Sequence, residues 1–404
     1  MQDSDFAKDL EHFTFRLHDQ LTKANPDQNV VYSPLSIRTS GGMLRMGATA
    51  ESPTADELDE GLRFSSGDVQ RIASSFDIVL KAYEQCGILK MANRIYVMMG
   101  LTLNKQFNSI LENNFRSKPT EIDFGSAQAA SDINSWVESQ TNELIKDLIG
   151  PDVLSTNTRL VLVNAIHLKG EWAVKFNEEY TEPEDFFLLT KKKITVPMMH
   201  TKNQFFFGDL PNLNATALRM DYTACNLAMI ILLPNEDSSL PNLENMLAST
   251  SLLSILSKMS LKQVDVKIPK FRAEFQQELE SAFKLMGMGR IFSNQAELGE
   301  MISSKESISV SKIIHKAFIE VNEFGTEAAA ATALTITFRS MSVPKMFHAN
   351  RPFFYGIFDK VHGFLFVGRY ITPVIERARR CKCPIDKSCE KCSHCKQCLS
   401  QKKD

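Results

Sequence analysis

Two stretches of this 404-residue chain hold residue types spaced for chemistry: an arginyl peptide bond at Arg339-Ser340, and six cysteines at Cys381, Cys383, Cys389, Cys392, Cys395 and Cys398. The first is a bond that a protease could cleave, although an arginine beside a serine is common and means nothing until its surroundings are read. The cysteines fall as C-x-C, then after five residues as three successive C-x-x-C steps, with His394 among them. Thiols that dense mean crosslinks or metal. A reducing compartment suits four-coordinate zinc or a small thiolate cluster, and an oxidising one suits three disulfides drawn from fifteen pairings. An unstructured extension is the third reading, given the Lys and Ser content.

The arginyl bond must be held by the segment before it. From His315 to Val321 the residues alternate, with Ala317, Ile319 and Val321 on one face and Lys316, Phe318 and Glu320 on the other, which predicts a half-buried strand. Asn322 to Gly325 breaks it. From Thr326 to Phe338 the even positions read Thr, Ala, Ala, Thr, Leu, Ile and Phe, and Glu327 is the only charge. Such a segment has two available states. Outside a sheet it is a loop, or a short surface helix over Glu327–Ala333, since alanine is the best helix former. Inside a sheet, about 12 residues with neighbours on both sides would gain roughly 10 kcal/mol from hydrogen bonding at ~1 kcal/mol each.

The flanks decide between these states. Val31-Tyr-Ser-Pro-Leu-Ser-Ile37, Asn164-Ala-Ile-His-Leu-Lys-Gly-Glu-Trp172, Val196-Pro-Met-Met199, Ile231-Leu-Leu-Pro234, Ile268-Pro-Lys-Phe271, Glu323-Phe-Gly-Thr-Glu-Ala-Ala-Ala-Ala331 and Phe347-His-Ala-Asn-Arg-Pro-Phe353 with Phe364-Leu-Phe-Val-Gly-Arg369 follow one another in order. Together they resemble the serpin family over nearly the whole chain, from about Phe6 to Pro373.

The resemblance implies an α+β serpin fold, with three β-sheets, eight or nine helices and an exposed reactive-centre loop at about 323–345. It implies a serpin domain over 1–373 and leaves 374–404 as a basic, Cys-rich tail outside the family pattern. Its hinge maps onto Glu323, Gly325, Thr326, Glu327, Ala328, Ala329, Ala330 and Ala331. Arg339 is the seventeenth residue counted from Glu323, the family's usual distance to the scissile residue, so the reactive bond is Arg339-Ser340. A guanidinium fits the acid-bottomed pocket of a trypsin-like serine protease, whereas an apolar slot would have to desolvate its charge at a cost of several kcal/mol. Phe338 would suit a chymotrypsin-like pocket and Met341 an elastase-like one, in that order. The implied function is suicide inhibition: cleavage after Arg339, insertion of the loop into the central sheet, and a trapped covalent acyl-enzyme. Lys270, Glu323 and Trp172 match positions at the top of the opening sheet, and Ser33, Ser36, Asn164 and His315 match a central hydrogen-bonded cluster. A monomer that can polymerise through its loop is expected.

Helical spacing marks Phe6–Leu17, Ile37–Met46 and Ile133–Ile149, where Trp136 and Leu144 lie about two turns apart, and the continuous apolar run Arg159–Leu168 predicts a strand buried on both faces. The other residues bound the alternatives. With 43% hydrophobic and 23% charged residues the composition is that of a globular protein. No apolar run approaches the ~20 residues of a membrane span. Met1-Gln-Asp lacks the start of a secretion signal, so the chain is cytoplasmic if Met1 is its native start and extracellular if it belongs to a processed chain. Asn214-Ala-Thr216 is a short glycosylation pattern that shifts this balance only slightly. No G-x-S-x-G, H-E-x-x-H or G-x-x-x-x-G-K pattern is present, so an enzyme is not expected, and no cofactor beyond zinc on the tail.

From Val374 onward nine Lys and Arg face four Asp and Glu, giving +5 and leaving −7 for the rest of a chain whose net charge is −2. Nucleic acid is not an expected partner for so short-ranged a patch. Arg377-Ala-Arg379-Arg380 resembles a proprotein-convertase site, and otherwise reads as a basic linker. Asp68–Cys86 carries only Arg71 and Lys81, which does not support heparin activation. Against inhibition stand two alternatives: a non-inhibitory serpin acting as carrier, storage protein or chaperone, and a metal-binding role for the tail.

Overall fold

Uninterrupted apolar runs become strands buried on both faces, and capped amphipathic stretches become helices. Ser33 shows the cap at work even on a helix buried along its whole length: its side chain accepts from the Ser36 N–H at 3.1 Å and Pro34 fills the first helical position. The computed structural model describes residues 2–304, 306–326 and 343–374. In chain order the first elements are α1 (Gln2–Ala24), β1 (Val30–Tyr32), α2 (Pro34–Gly47), α3 (Pro53–Gly61), α4 (Val69–Cys86), β2 (Leu89–Met98), α5 (Lys105–Phe115), β3 (Thr120–Ile122) and α6 (Ala129–Gln140). Strands then dominate: β4 (Leu160–Leu168), β5 (Gly170–Glu171), β6 (Glu182–Phe187), β7 (Lys193–Leu210), β8 (Ala215–Asp221) and β9 (Leu227–Pro234). After α7 (Leu240–Leu247) and α8 (Leu252–Ser257) come β10 (Ser260–Pro269), β11 (Phe271–Glu278) and α9 (Glu280–Leu285). The last are β12 (Lys312–Val321), β13 (Gly325–Thr326), β14 (Lys345–His348), β15 (Phe353–Asp359) and β16 (Gly363–Tyr370). The class is α+β, with nine α-helices among the described residues.

Pairing joins the strands into two networks. One has seven strands in the order β3-β2-β4-β12-β13-β5, with β11 also on β12. The other has nine, in the order β1-β16-β15-β9-β8-β7-β10-β14, with β6 also on β7. The 18 residues of β7 pair with β6 and β10 and, at their end, with β8, so one continuous strand links the second and third of the expected sheets.

At the centre of the seven-strand sheet β4 and β12 run parallel through seven rungs, from Lys312↔Val161 to Phe318↔His167. Their outer neighbours β2 and β11 are antiparallel to them. Every residue of β4 is buried, as its apolar run predicts. β12 departs from its predicted half-burial: Ile314 and Phe318 join a second core cluster with Ile133 and Val137 of α6, so both faces of the strand are covered. The Arg94 guanidinium of β2, 3.9 Å from the Trp136 ring, adds a cation–π contact that holds α6 on the sheet.

Continuous helix over Ile133–Ile149, which the spacing of Trp136 and Leu144 predicts, does not form. α6 ends at Gln140, and Asn142, Glu143 and Asp147 take φ of 51°, 62° and 50°. The chain turns back so that the Asn134 carboxamide bonds both the N–H and the C=O of Ile149 at 2.8 Å, while Leu144 still packs on the cluster.

Cys86 at the end of α4 is joined to Cys225, in the turn between β8 and β9, across 139 residues of sequence with the Cα atoms 5.8 Å apart. Neither cysteine belongs to the tail cluster. Closing so long a loop restricts the unfolded chain. Replacing both (C86S/C225S) is expected to lower the unfolding free energy by about 2 to 5 kcal/mol, measured as a shifted urea midpoint; equal midpoints would remove the crosslink from the account.

Candidate functional site

The end of β12 is where a strand could come between β12 and β4. Past Val321 the chain makes a tight reversal: Asn322 N–H donates to Gly325 O at 2.9 Å, Gly325 N–H donates back to Asn322 O at 3.3 Å, and Asn322 Oδ1 accepts from the N–H groups of Phe324 and Gly325. β13 then runs back down, with Thr326 opposite both Val321 and Gly170, and Gly325 opposite Glu171. Two residues expected to belong to the hinge therefore already stand between β12 and β5, antiparallel to both. Gly325 is required there, because a Cβ would lie 2.0 Å from the Gly170 carbonyl oxygen.

Thr326 is buried, and its hydroxyl bonds the Tyr222 hydroxyl at 2.7 Å. The Tyr222 ring stacks on Trp172 at 4.5 Å, and Trp172 Nε1–H donates to Asn322 O at 3.0 Å while its backbone N–H donates to Phe324 O at 2.8 Å. Trp172 thus holds the reversal from below. Beside it Lys270 Nζ donates to Glu323 Oε2 at 2.9 Å, and the Thr181 hydroxyl donates to Oε1 at 2.9 Å. Burial opposes ionisation of Glu323, but the bonds from Lys270, the backbone and Thr181 outweigh it and hold the carboxyl below its usual range.

Further down lies the polar cluster. Asn93, Asn164 and His315 stand opposite one another on β2, β4 and β12, at the middle of the seven parallel rungs. Asn164 Nδ2 donates to Asn93 Oδ1 at 2.8 Å and to Ser40 Oγ at 3.1 Å, and Ser36 Oγ donates to Asn93 Oδ1 at 2.8 Å. His315 Nε2 accepts from the Ser33 N–H at 3.3 Å, which leaves the proton on Nδ1 to be donated to Asn164 Oδ1. That last bond crosses the β4–β12 seam directly. Above it, at the first closed rung, the His167 ring stacks on Phe318.

The resemblance places Lys270, Trp172 and Glu323 at the top of the sheet, Gly325 and Thr326 in the hinge, and Ser33, Ser36, Asn164 and His315 in a central cluster; the fold brings the first two sets together and gathers the third around the middle of the seam. Thr181, Tyr222, Ser40 and Asn93 were missed. Asn93 had a signal, a lone amide in a strand-like run; Tyr222 had none. Glu327, Ala328, Ala329, Ala330, Ala331, Arg339, Ser340 and the six tail cysteines lie outside the described residues.

Burial pushes the His315 imidazole down to about 3, and burial with nearby Lys169 pushes His167 down to about 4. Each is neutral when folded and gains a proton near pH 6.5 when unfolded. Their contribution is complete above that pH and is lost as pH falls toward the folded values, at a slope of up to about 1.4 kcal/mol per pH unit for each. Unfolding free energy measured between pH 7.5 and 5 should fall, and H315Q should flatten the fall; an unchanged slope in H315Q would contradict the assignment.

The serpin (serine protease inhibitor) family model matches residues 8–373. Alaserpin of Manduca sexta is 37% identical over 368 residues, 90% of this chain and 93% of that one. Antitrypsin of Bombyx mori is 37% identical over 357 residues, covering 86% and 89% of the two chains. The solved structure of cleaved Serpin 42Da, 42% identical, superposes with a TM-score of 0.85 over 93% of this chain and 100% of that one. With the hinge reversal, the parallel seam and these matches in agreement, the chain belongs to the serpin family of serine protease inhibitors.

Proposed function

We propose that the chain is a suicide-substrate inhibitor of trypsin-like serine proteases, cleaved after Arg339. The observation that carries this reading is β13: two hinge residues already lie in the sheet, antiparallel to both neighbours, at the head of a parallel seam that a longer antiparallel strand could fill. The inhibitor names of alaserpin and antitrypsin agree with it.

The protease serine attacks the Arg339 carbonyl, its proton passes through the protease's own base to the Ser340 nitrogen, and the Arg339–Ser340 amide bond breaks. An ester joins the two proteins. The freed loop from Gly325 to Phe338 then continues the path that β13 has begun, breaking the rungs from Phe318↔His167 downward and carrying the tethered protease about 46 Å at ~3.3 Å per residue. A protease distorted on arrival does not hydrolyse the ester, since losing one oxyanion donor alone slows such chemistry ~100- to 1000-fold. No cofactor takes part, because the nucleophile and base belong to the protease. Lys270, Glu323 and Trp172 secure the top of the seam, and Ser33, Ser36, Asn164 and His315 secure its middle. The Cys86–Cys225 crosslink favours an extracellular setting, where disulfides persist.

Insertion must outrun deacylation, so the inward hinge positions must be small and uncharged. Thr326→Arg places a long cation where the Thr326 hydroxyl meets Tyr222. This variant should be cleaved by trypsin at Arg339 as a substrate, with the SDS-stable complex reduced at least ~10-fold, a loss equivalent to about 1.4 kcal/mol in the competing barriers. Arg339→Ala should abolish the trypsin complex. Wild-type complex yield from either variant would refute the corresponding part of the reading.

A further inference from the structure

Asn214 closes a short 3-10 turn at Pro211–Leu213 and hands the chain into β8, in the left-handed conformation (φ 45°, ψ 51°) that asparagine tolerates. Its N–H donates to Pro211 O at 3.1 Å, and its C=O accepts from the Asn235 N–H at 2.9 Å. The side chain is used on one side only. Asn214 is half-buried; Oδ1 accepts from Asn235 Nδ2 at 2.8 Å, whereas Nδ2 donates to no acceptor among the described residues and is not among the buried atoms lacking a partner, so solvent reaches it. Thr216, two residues on, is half-buried with its hydroxyl likewise unengaged; Ala215 between them is not proline; and Pro211 and Asn212 beside them are exposed. Glycan transfer needs this amide–x–hydroxyl spacing and a surface position in the folded product.

A spacing of three residues occurs often by chance, but the Cys86–Cys225 crosslink is an independent observation that points to the same oxidising compartment. We propose that Asn214 carries an N-linked glycan. A bond forms between Nδ2 and the anomeric carbon of a lipid-pyrophosphate-linked oligosaccharide, the lipid pyrophosphate leaves with the bonding electron pair, and one amide proton is lost to base. The Asn214–Asn235 bond survives, because it uses the oxygen. This inference rests on the extracellular part of the reading above and is independent of the choice of protease.

The test is digestion of the endogenous protein with a peptide N-glycosidase in heavy-oxygen water, followed by peptide mapping with and without reductant. Asn214 should be recovered mostly as labelled Asp, and the peptides of Cys86 and Cys225 should be crosslinked. In the same cells a T216A chain should leave Asn214 unlabelled while T216S keeps the label, which separates glycan transfer from any effect on folding. Unlabelled Asn214 in a crosslinked protein overturns the glycan and leaves the extracellular setting standing. Free thiols at both cysteines with unlabelled Asn214 overturn both.

Discussion

The contact between β4 and β12 governs the rest of this molecule. Seven rungs of slanted parallel hydrogen bonds close the centre of a sheet whose adjacent pairings are antiparallel. Parallel pairing is slightly less stable per residue, and replacing this one interface by two antiparallel ones adds a strand's worth of hydrogen bonds at ~1 kcal/mol each. The folded chain can therefore sit above a rearranged state while every local contact is well made. In the proposed mechanism that difference is what moves the protease.

Such a seam has to be held shut and also be able to open. Apolar packing alone holds it without direction, because Ile314 and Phe318 bury nearly as well against a new neighbour as against the old one. The polar cluster is selective. Asn93, Asn164 and His315 bond across three strands at one level, and a strand passing between β4 and β12 must break the His315–Asn164 bond. A buried hydrogen bond left unmade is costly, so the cluster acts as a barrier at the middle of the seam rather than along its length. Above it Tyr222, Trp172, Lys270 and Glu323 keep Gly325 and Thr326 in the sheet, so in the proposed mechanism insertion would start from a formed nucleus.

Much of this was legible in the residues, and the exceptions have physical causes. The apolar run of β4 and the break after Val321 follow from side-chain period and turn chemistry, which are local. The Lys270–Glu323 pair and the Asn164–His315 bond came through family resemblance, since their spacing alone means little. Tyr222 reaches Thr326 across 104 residues, and Cys86 reaches Cys225 across 139, with no pattern that marks either pair. The helix predicted over Ile133–Ile149 failed because apolar spacing persists to Leu144 after the backbone has turned left-handed at Asn142. Half-burial of β12 failed because one strand's alternation cannot reveal that α6 covers its second face.

Stored conformational energy is the central claim, and calorimetry of the chain before and after a single cut at Arg339 tests it most directly. Since the proposed insertion would release roughly 10 kcal/mol, and each 1 kcal/mol moves the melting point of a chain this long by about 1 to 2 °C, the nicked protein should melt roughly 10 to 20 °C higher than the intact one. A nicked protein that melts at the same temperature or lower would contradict the account.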